Sequence, residues 1–141
     1  MKIVVPIKLE SEANPRRHGH WAQKSARVRG QRQAVTAAFI DAGAHVEVHA
    51  LVTPKKTRWV SRWKGTPACS VPPFAVVVTI TRVAPRALDD DNLARSAKAV
   101  RDQVAELLGV DDRDPRVTWR YAQERGAPNA YACSIAIEAR P

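Results

Sequence analysis

The chain has 141 residues and a formal net charge of +9, with 23 lysines and arginines against 14 aspartates and glutamates. This length suits a single domain with its own core, and no apolar run approaches the length that crosses a membrane. Two cysteines are too few for a disulfide scaffold, and the N-terminus lacks a signal-peptide pattern, which favours reducing cytoplasm. The positive charge predicts a polyanionic partner such as nucleic acid.

The N-terminal segment begins as a strand and continues as a polar loop. Residues 2–9 are rich in β-branched side chains, which predicts a strand, and Pro6 favours a position at the edge of a sheet. Residues 10–19 contain Ser, Asn, Pro and Gly, a composition typical of a loop. Arg16 and Arg17 in this loop are candidate contacts to DNA phosphates.

A basic amphipathic helix is predicted over about residues 25–42. Its apolar side chains recur at helical spacing, and Gly43 ends the pattern. Cations crowd its first half, where the positive end of the helix dipole makes them unfavourable. Contact with phosphates would offset that cost, so these cations are either DNA contacts or a solvated basic face. The candidate contacts are Lys24, Arg27 and Arg29.

The middle of the chain combines a predicted strand with a long basic loop. Residues 44–53 alternate between apolar and polar side chains, as a half-exposed antiparallel strand does. Residues 54–73 contain five cations, two tryptophans and no acid. Interleaved cations and aromatic rings suit phosphate contact and base stacking, and the alternative is a hairpin whose tryptophans cover the edge of the core. The candidate DNA contacts here are Lys55, Lys56, Arg58, Trp59, Arg62, Trp63 and Lys64.

The C-terminal half completes an α+β fold. Residues 74–83 are the most β-prone run of the chain and predict the central strand. Residues 116–123 and 130–139 predict a closing hairpin around residues 126–129. With a helix between the central strand and this hairpin, the order is β-α-β-β-α-β-β, a mixed sheet on which two helices pack.

Acidic residues are concentrated around the second predicted helix. Eight of the 14 acidic residues lie between positions 89 and 114. Hard divalent cations take carboxylate oxygens as ligands, so a bound cation would explain this concentration. The alternative is that these residues are helix caps and turn formers, as aspartates often are. The two groups are Asp89, Asp90 and Asp91 at the helix start and Asp111, Asp112 and Asp114 after its end at Gly109.

The second helix, predicted to run from the acidic cluster to Leu108, has two distinct faces. An apolar stripe with spacings of three and four residues predicts the side that faces the core. A charged face with the same rhythm lies opposite, and it combines carboxylates that suit a metal with cations that suit a phosphate. The stripe is Leu93, Ala97, Val100, Val104 and Leu108, and the charged face is Asp91, Arg95, Lys98 and Asp102.

The run of residues 89–93, Asp-Asp-Asp-Asn-Leu, the following Lys98 and Asp102, and the pair Asp111-Asp112 resemble the RusA family of Holliday junction resolvases. The resemblance is specific over about residues 76–121 and general before them. It implies a homodimer with a mixed α/β fold, a bacterial or phage origin, and Mg²⁺-dependent cleavage of four-way DNA junctions, with Mn²⁺ as a substitute.

The resemblance also implies a set of metal-binding aspartates. The first two fall on Asp89 and Asp91. The third falls most naturally on Asp112, with Asp111 and Asp114 as alternatives, because this loop has an additional Asp-Pro-Arg that is not typical of the family.

The resemblance implies a catalytic cation as well, for which two positions remain open. Arg95 has the family's usual spacing from the second aspartate, one helical turn. Lys98 matches the pattern Lys-Ala-x-x-Asp and lies one turn further along the same face.

Two other functions fit the same residues. A structure-selective or nonspecific DNA nuclease would use the same metal chemistry on other substrates. A non-catalytic DNA-binding protein would use the aspartates as caps and turns, and its binding would not need Mg²⁺. A calcium-binding loop is disfavoured, because the acidic cluster lacks the downstream Gly and bidentate Glu of such a loop. No membrane association and no protein partner are inferred.

Overall fold

The computed structural model describes residues 1–11, 21–43 and 75–140, which form four strands and three helices. The strands are β1 (Lys2–Val5), β2 (Val76–Ala84), β3 (Val117–Arg125) and β4 (Ala132–Ala139). The helices are α1 (Trp21–Asp41), α2 (Asp90–Ser96) and α3 (Lys98–Leu108). The predicted strand at 44–53 and the basic loop at 54–73 lie outside the described residues.

The described strands form one mixed sheet in the order β1-β4-β2-β3. β4 is antiparallel to both β1 and β2, whereas β3 runs parallel to β2. β2 lies between β4 and β3, and its residues alternate between buried and half-buried because successive side chains point to opposite faces of the sheet, one of which packs against the core. The predicted α+β class and the interior position of β2 are therefore confirmed.

The prediction of a closing hairpin was wrong. β3 and β4 do not pair with each other but flank β2, with Ala84 in register with Arg125 of β3 and Val83 with Ala132 of β4. The connection between them therefore crosses the end of β2. The backbone N–H of Gly126 donates to the carbonyl of Ala84 at 3.0 Å, so the crossing is close. A glycine meets this need because it has no Cβ.

The N-terminal elements differ from their predicted bounds. β1 ends at Val5 rather than continuing to residue 9, because Pro6 has no N–H to donate to a neighbouring strand. It lies at the edge of the described sheet, as Pro6 predicted. α1 begins at Trp21, four residues before the predicted start, and its buried residues include Val35 and Phe39.

The second predicted helix is divided into α2 and α3, so the described part of the chain has three helices where two were expected. The division falls at Ala97, where the hydroxyl of Ser96 donates to the carbonyl of Leu93 at 2.8 Å. A serine that bonds a carbonyl of the preceding turn competes with the helical backbone bond and bends the helix. The apolar stripe nevertheless continues through the bend, and all five of its predicted members are buried.

The core lies between one face of the sheet and helices α1 and α3. Alternate residues of β2 and β4, such as Ile80 and Ile135, meet Phe39 of α1 and Val104 of α3 in one buried cluster. The other side of α3 remains accessible to solvent, and it carries the charged residues of the candidate site. Among the described helices, none combines the length and the apolar character that a bilayer crossing requires.

Candidate functional site

The first acidic group lies where β2 leads into α2. β2 ends at Ala84, and Asp89 occupies the N-cap position of α2 in an extended conformation. Asp89 makes no side-chain capping hydrogen bond, and Asp89, Asp90 and Asp91 are all exposed. A capping aspartate normally bonds a backbone N–H of the first helical turn. The carboxylate of Asp89 is therefore not used as a cap, which leaves its oxygens accessible.

The backbone that leads into this group is fixed by two side chains. Gln123 accepts a hydrogen bond from the N–H of Leu88 at 2.9 Å and donates to the carbonyl of Leu88 at 2.7 Å. Arg82 donates to the carbonyl of Arg86 at 2.7 Å. The acidic residues consequently project from a connection whose backbone is held by β2 and β3.

The second acidic group begins after Gly109, the C-cap of α3, which has a φ of 68°. Asp111 and Asp114 both serve the turn itself. The carboxylate of Asp111 accepts a hydrogen bond from the N–H of Arg113 at 2.9 Å. Asp114 is buried, and it accepts from the N–H of Arg116 at 3.0 Å and from that guanidinium at 2.7 Å. Hydrogen bonding to Asp114 raises the pKa of Arg116.

Asp112 differs from its neighbours, because its backbone carbonyl is held by two hydrogen bonds and its carboxylate forms only a longer ion pair with Arg101. Its carbonyl accepts hydrogen bonds from Arg101 at 2.7 Å and from the indole of Trp119 at 3.0 Å. Its half-exposed carboxylate lies 3.4 Å from the Arg101 guanidinium, which stacks 5.3 Å from the Trp119 ring. Of the three candidates in this segment, Asp112 is the one whose side chain does not form the turn.

Arg101 is a site residue that the sequence reasoning missed. It lies on α3, eleven residues before its carbonyl acceptor in Asp112. The turn at Gly109 brings the two together, and spacing along a helix does not reveal such a contact. The tryptophan shortly after the acidic group was the available signal, because an indole N–H needs an acceptor when it is partly buried.

The two candidate catalytic cations have different surroundings. Lys98 forms an ion pair with Asp102, with nitrogen–oxygen distances of 3.0 and 3.2 Å. Both residues line an open cavity of about 620 Å³ together with Asp111 and Asp112. Arg95 is exposed on α2, one turn after Asp91. The structure thus brings Lys98 and Asp112 to one cavity, which α3 and the turn after it surround.

The three predicted metal ligands do not form one group. Within residues 1–11, 21–43 and 75–140, no three His, Cys, Asp or Glu side chains are close enough together to hold a metal ion. Asp89 and Asp91 lie at the start of α2, whereas Asp112 lies beyond the end of α3. Helices α2 and α3 lie between these positions along the chain. Because a helix advances about 1.5 Å per residue, they separate the two acidic groups.

The predicted DNA contacts are placed only in part. Lys24 and Arg29 are exposed on α1. Arg27 instead forms an ion pair with Glu10 at 2.8 Å, and Glu10 also lies 3.0 Å from Lys8. The hydrogen bond from Lys8, followed by the one from Arg27, lowers the pKa of Glu10. Arg16, Arg17 and the seven candidates at 55–64 lie outside the described residues.

Comparisons with known proteins add no relative. No family model, no curated protein and no solved structure matches this chain. The likeness to the RusA family therefore rests on the residues of its motif, and the case for a function rests on the chemistry of the site.

Proposed function

We propose that this chain is a Mg²⁺-dependent endonuclease that resolves four-way DNA junctions as a homodimer, in DNA recombination and repair. The observation that carries the proposal is that the carboxylate of Asp89 is exposed and does not cap its helix. This residue occupies a helix N-cap position but makes no capping hydrogen bond. Its carboxylate is exposed at the end of the connection between β2 and α2, two residues before Asp91, which is also exposed.

The donor set suits Mg²⁺. This ion prefers oxygen ligands and is often held by one or two carboxylates together with substrate phosphates, while it keeps several waters. Asp89 and Asp91 would supply the carboxylates. Asp112 is the proposed third catalytic carboxylate, because its side chain is not committed to the turn that Asp111 and Asp114 form, although within the described residues it does not lie in one group with Asp89 and Asp91. When bound, the ion lowers the pKa of a coordinated water and polarises the scissile phosphate.

The protein's own residues orient the phosphate and balance its charge. Asp89 and Asp91 would hold the ion, and hydrolysis of the phosphodiester would leave a 3′-hydroxyl and a 5′-phosphate. A cation then stabilises the negative charge that develops on the phosphoryl oxygens. The cavity that Lys98 shares with Asp112 favours Lys98 for this role, and the exposure of Arg95 one turn after Asp91 favours Arg95.

The charge of the chain supports a nucleic-acid substrate. A net charge of +9 strengthens binding to a phosphate backbone by releasing counterions. Lys24 and Arg29 are exposed on the surface of α1. A four-way junction is close to two-fold symmetric, so a symmetric dimer would present two sites for paired nicks.

The experiment compares the wild type with two variants on a labelled four-way junction, in Mg²⁺ and in EDTA. Asp91→Asn removes a proposed ligand, and we expect it to abolish cleavage while junction binding is preserved or improved. Asp90→Asn is the matched control, because it removes the same charge from the adjacent exposed residue, which has no proposed role as a ligand. Loss of binding together with cleavage in Asp91→Asn would count against the site.

The same experiment separates the two rival functions. Equal cleavage of flap, single-stranded and linear duplex DNA would identify a less selective nuclease. Tight junction binding without cleavage in Mg²⁺ or Mn²⁺ would identify a non-catalytic DNA-binding protein. Thermal unfolding with and without Mg²⁺ adds a test that needs no DNA, since a ligand that binds the native state raises the melting temperature.

A further inference from the structure

Gln123 clamps one residue of the connection between β2 and α2. Its side-chain amide bonds both backbone groups of Leu88, accepting from the N–H at 2.9 Å and donating to the carbonyl at 2.7 Å. An amide side chain can satisfy a donor and an acceptor at once, which a carboxylate or an ammonium group cannot. Leu88 lies in the connection outside any helix or strand, so its backbone groups need such partners.

The clamp acts on the peptide that carries Asp89. The carbonyl of Leu88 belongs to the planar unit that joins Leu88 to Asp89, so fixing this oxygen fixes the plane from which Asp89 extends. On the other side of Asp89, its own carbonyl accepts a hydrogen bond from the N–H of Leu93 at 2.9 Å. The backbone of Asp89 is therefore held on both sides, while its carboxylate makes no capping bond.

Arg82 supports the same connection from the neighbouring strand. Arg82 and Gln123 are directly opposite each other in the parallel register of β2 and β3. Arg82 is 6% exposed, and its guanidinium donates to the carbonyls of Leu9 and Arg86. Burial lowers its pKa. Arg82 and Gln123 thus hold the connection by its carbonyls at residues 86 and 88.

We propose that Gln123 is a positioning residue that fixes Asp89 for metal binding. This inference rests on the proposed function, since it concerns the same metal site. Metal affinity depends on holding the ligands close to their bound geometry, and loss of an outer-shell residue that orients them typically lowers it by about 10- to 100-fold. We expect the lower end of that range, because Gln123 acts through the backbone. Gln123 does not contact the carboxylate of Asp89, so its effect passes through the backbone of Leu88.

The test uses Gln123→Met, which keeps the length of the side chain and removes both hydrogen bonds. Gln33→Met on α1 is the matched control, because Gln33 is exposed and on a different element. The first readout is hydrogen exchange of the Leu88 amide by NMR, which we expect to become faster in Gln123→Met alone. The second is the Mg²⁺ concentration that gives half of the maximal rise in melting temperature, which we expect to increase about 10-fold.

A second variant guards against general loss of folding. Gln123→Glu keeps an oxygen that accepts from the N–H of Leu88 and loses the donor to its carbonyl. We expect the Leu88 amide to stay protected in this variant. Junction binding in EDTA should be unchanged in both variants, since it needs no metal ligand.

Each outcome bears on a different claim. Faster exchange at Leu88 with an unchanged Mg²⁺ dependence would make the clamp purely structural and overturn this inference, while the proposed function would stand. Unchanged exchange at Leu88 in Gln123→Met would overturn the clamp itself. A wild type that neither cleaves junctions nor gains stability in Mg²⁺ would overturn the proposed function, and with it this role of Gln123.

Discussion

The guanidinium of Arg32 donates a hydrogen bond to the carboxylate of Glu106 at 2.6 Å and thereby ties α1 to α3. The same guanidinium donates to the amide oxygen of Gln103 at 2.8 Å. Basic residues of α1 are thus used partly within the protein. Arg27, paired with Glu10, is a second example.

Replacement of Glu106 by Gln should lower the free energy of unfolding by a modest amount. The Arg32 side chain is 41% exposed, so solvent screens the pair and the expected loss is about 0.5 to 1 kcal/mol. The loss should shrink at high salt. Urea unfolding at low and high salt measures it, with Glu124→Gln at an exposed position of β3 as the control. If the loss of stability did not depend on salt, the Arg32–Glu106 contact would stabilise the fold through packing rather than through charge attraction.

The aspartates after α3 should separate into structural and functional residues. Asp114 is buried and bonded three ways to Arg116, so Asp114→Asn should lower the free energy of unfolding by about 2 kcal/mol. Asp112→Asn leaves the bonded carbonyl in place, and it should change stability by less than about 1 kcal/mol while abolishing junction cleavage. Melting temperature and cleavage are measured for both.

Asp111→Asn provides the control for that pair, because asparagine keeps an oxygen that accepts from the N–H of Arg113. We expect near-normal stability and cleavage in this variant. Full cleavage by Asp112→Asn, or its loss in Asp111→Asn, would assign the third carboxylate differently.

The Cys133 thiol should make stability fall at alkaline pH. Burial raises its pKa to about 12, whereas an unfolded thiol ionises near pH 8.5, as a rough reference. Above that lower pKa the unfolded state loses a proton that the folded state keeps, so its contribution to stability is complete below about pH 8.5 and is lost as pH rises toward 12. The expected loss at pH 10 is about 2 kcal/mol.

Cys133→Ala removes this ionisation and isolates its effect. The variant should be less stable than the wild type at neutral pH, by about 1 kcal/mol, because it leaves a small cavity in the core. The difference in free energy of unfolding between the wild type and Cys133→Ala should become smaller as pH rises. Urea unfolding from pH 7 to pH 10 measures it. Parallel curves for the two proteins would refute the burial of an ionisable thiol.

The crossing at Gly126 should not tolerate a larger residue well. A Cβ at this position would lie 3.1 Å from the carbonyl oxygen of Ala130 and 3.2 Å from a methyl of Val83. Gly126→Ala should therefore lower the free energy of unfolding by about 1 kcal/mol. Gly30→Ala is the matched control, since Gly30 is exposed within α1 with nothing within 4 Å of its added Cβ.

The two glycine variants should have opposite signs. Alanine favours a helix interior over glycine by about 1 kcal/mol, so Gly30→Ala should stabilise the protein. Thermal unfolding of both variants provides the comparison. Stabilisation by Gly126→Ala would mean that the connection between β3 and β4 is not closely packed where it crosses β2.

Local sequence patterns predicted where helices and strands form better than they predicted which strands pair. The helical stripe from Leu93 to Leu108 and the β-prone run of β2 were recognisable, because burial on one side imposes a period of 3.6 or 2 on the residues themselves. The bend at Ser96 was missed, since a serine inside a helical pattern gives no sign of which carbonyl it will bond. The expected hairpin was wrong because strand pairing depends on free energy gained between distant segments.

The candidate site divides in the same way. The sequence determined that two acidic groups flank an amphipathic segment in a basic chain, because residue identity and spacing alone fix charge and helical phase. Only the tertiary structure decided how each carboxylate is used. Asp114 is buried against Arg116. Asp89 stays accessible, and it follows Leu88, whose backbone is hydrogen-bonded by Gln123. The bonds between Gln123 and Leu88 join segments that the pairing of β2 with β3 brings together, and the burial of Asp114 depends on packing by distant segments, so no local pattern contains that information.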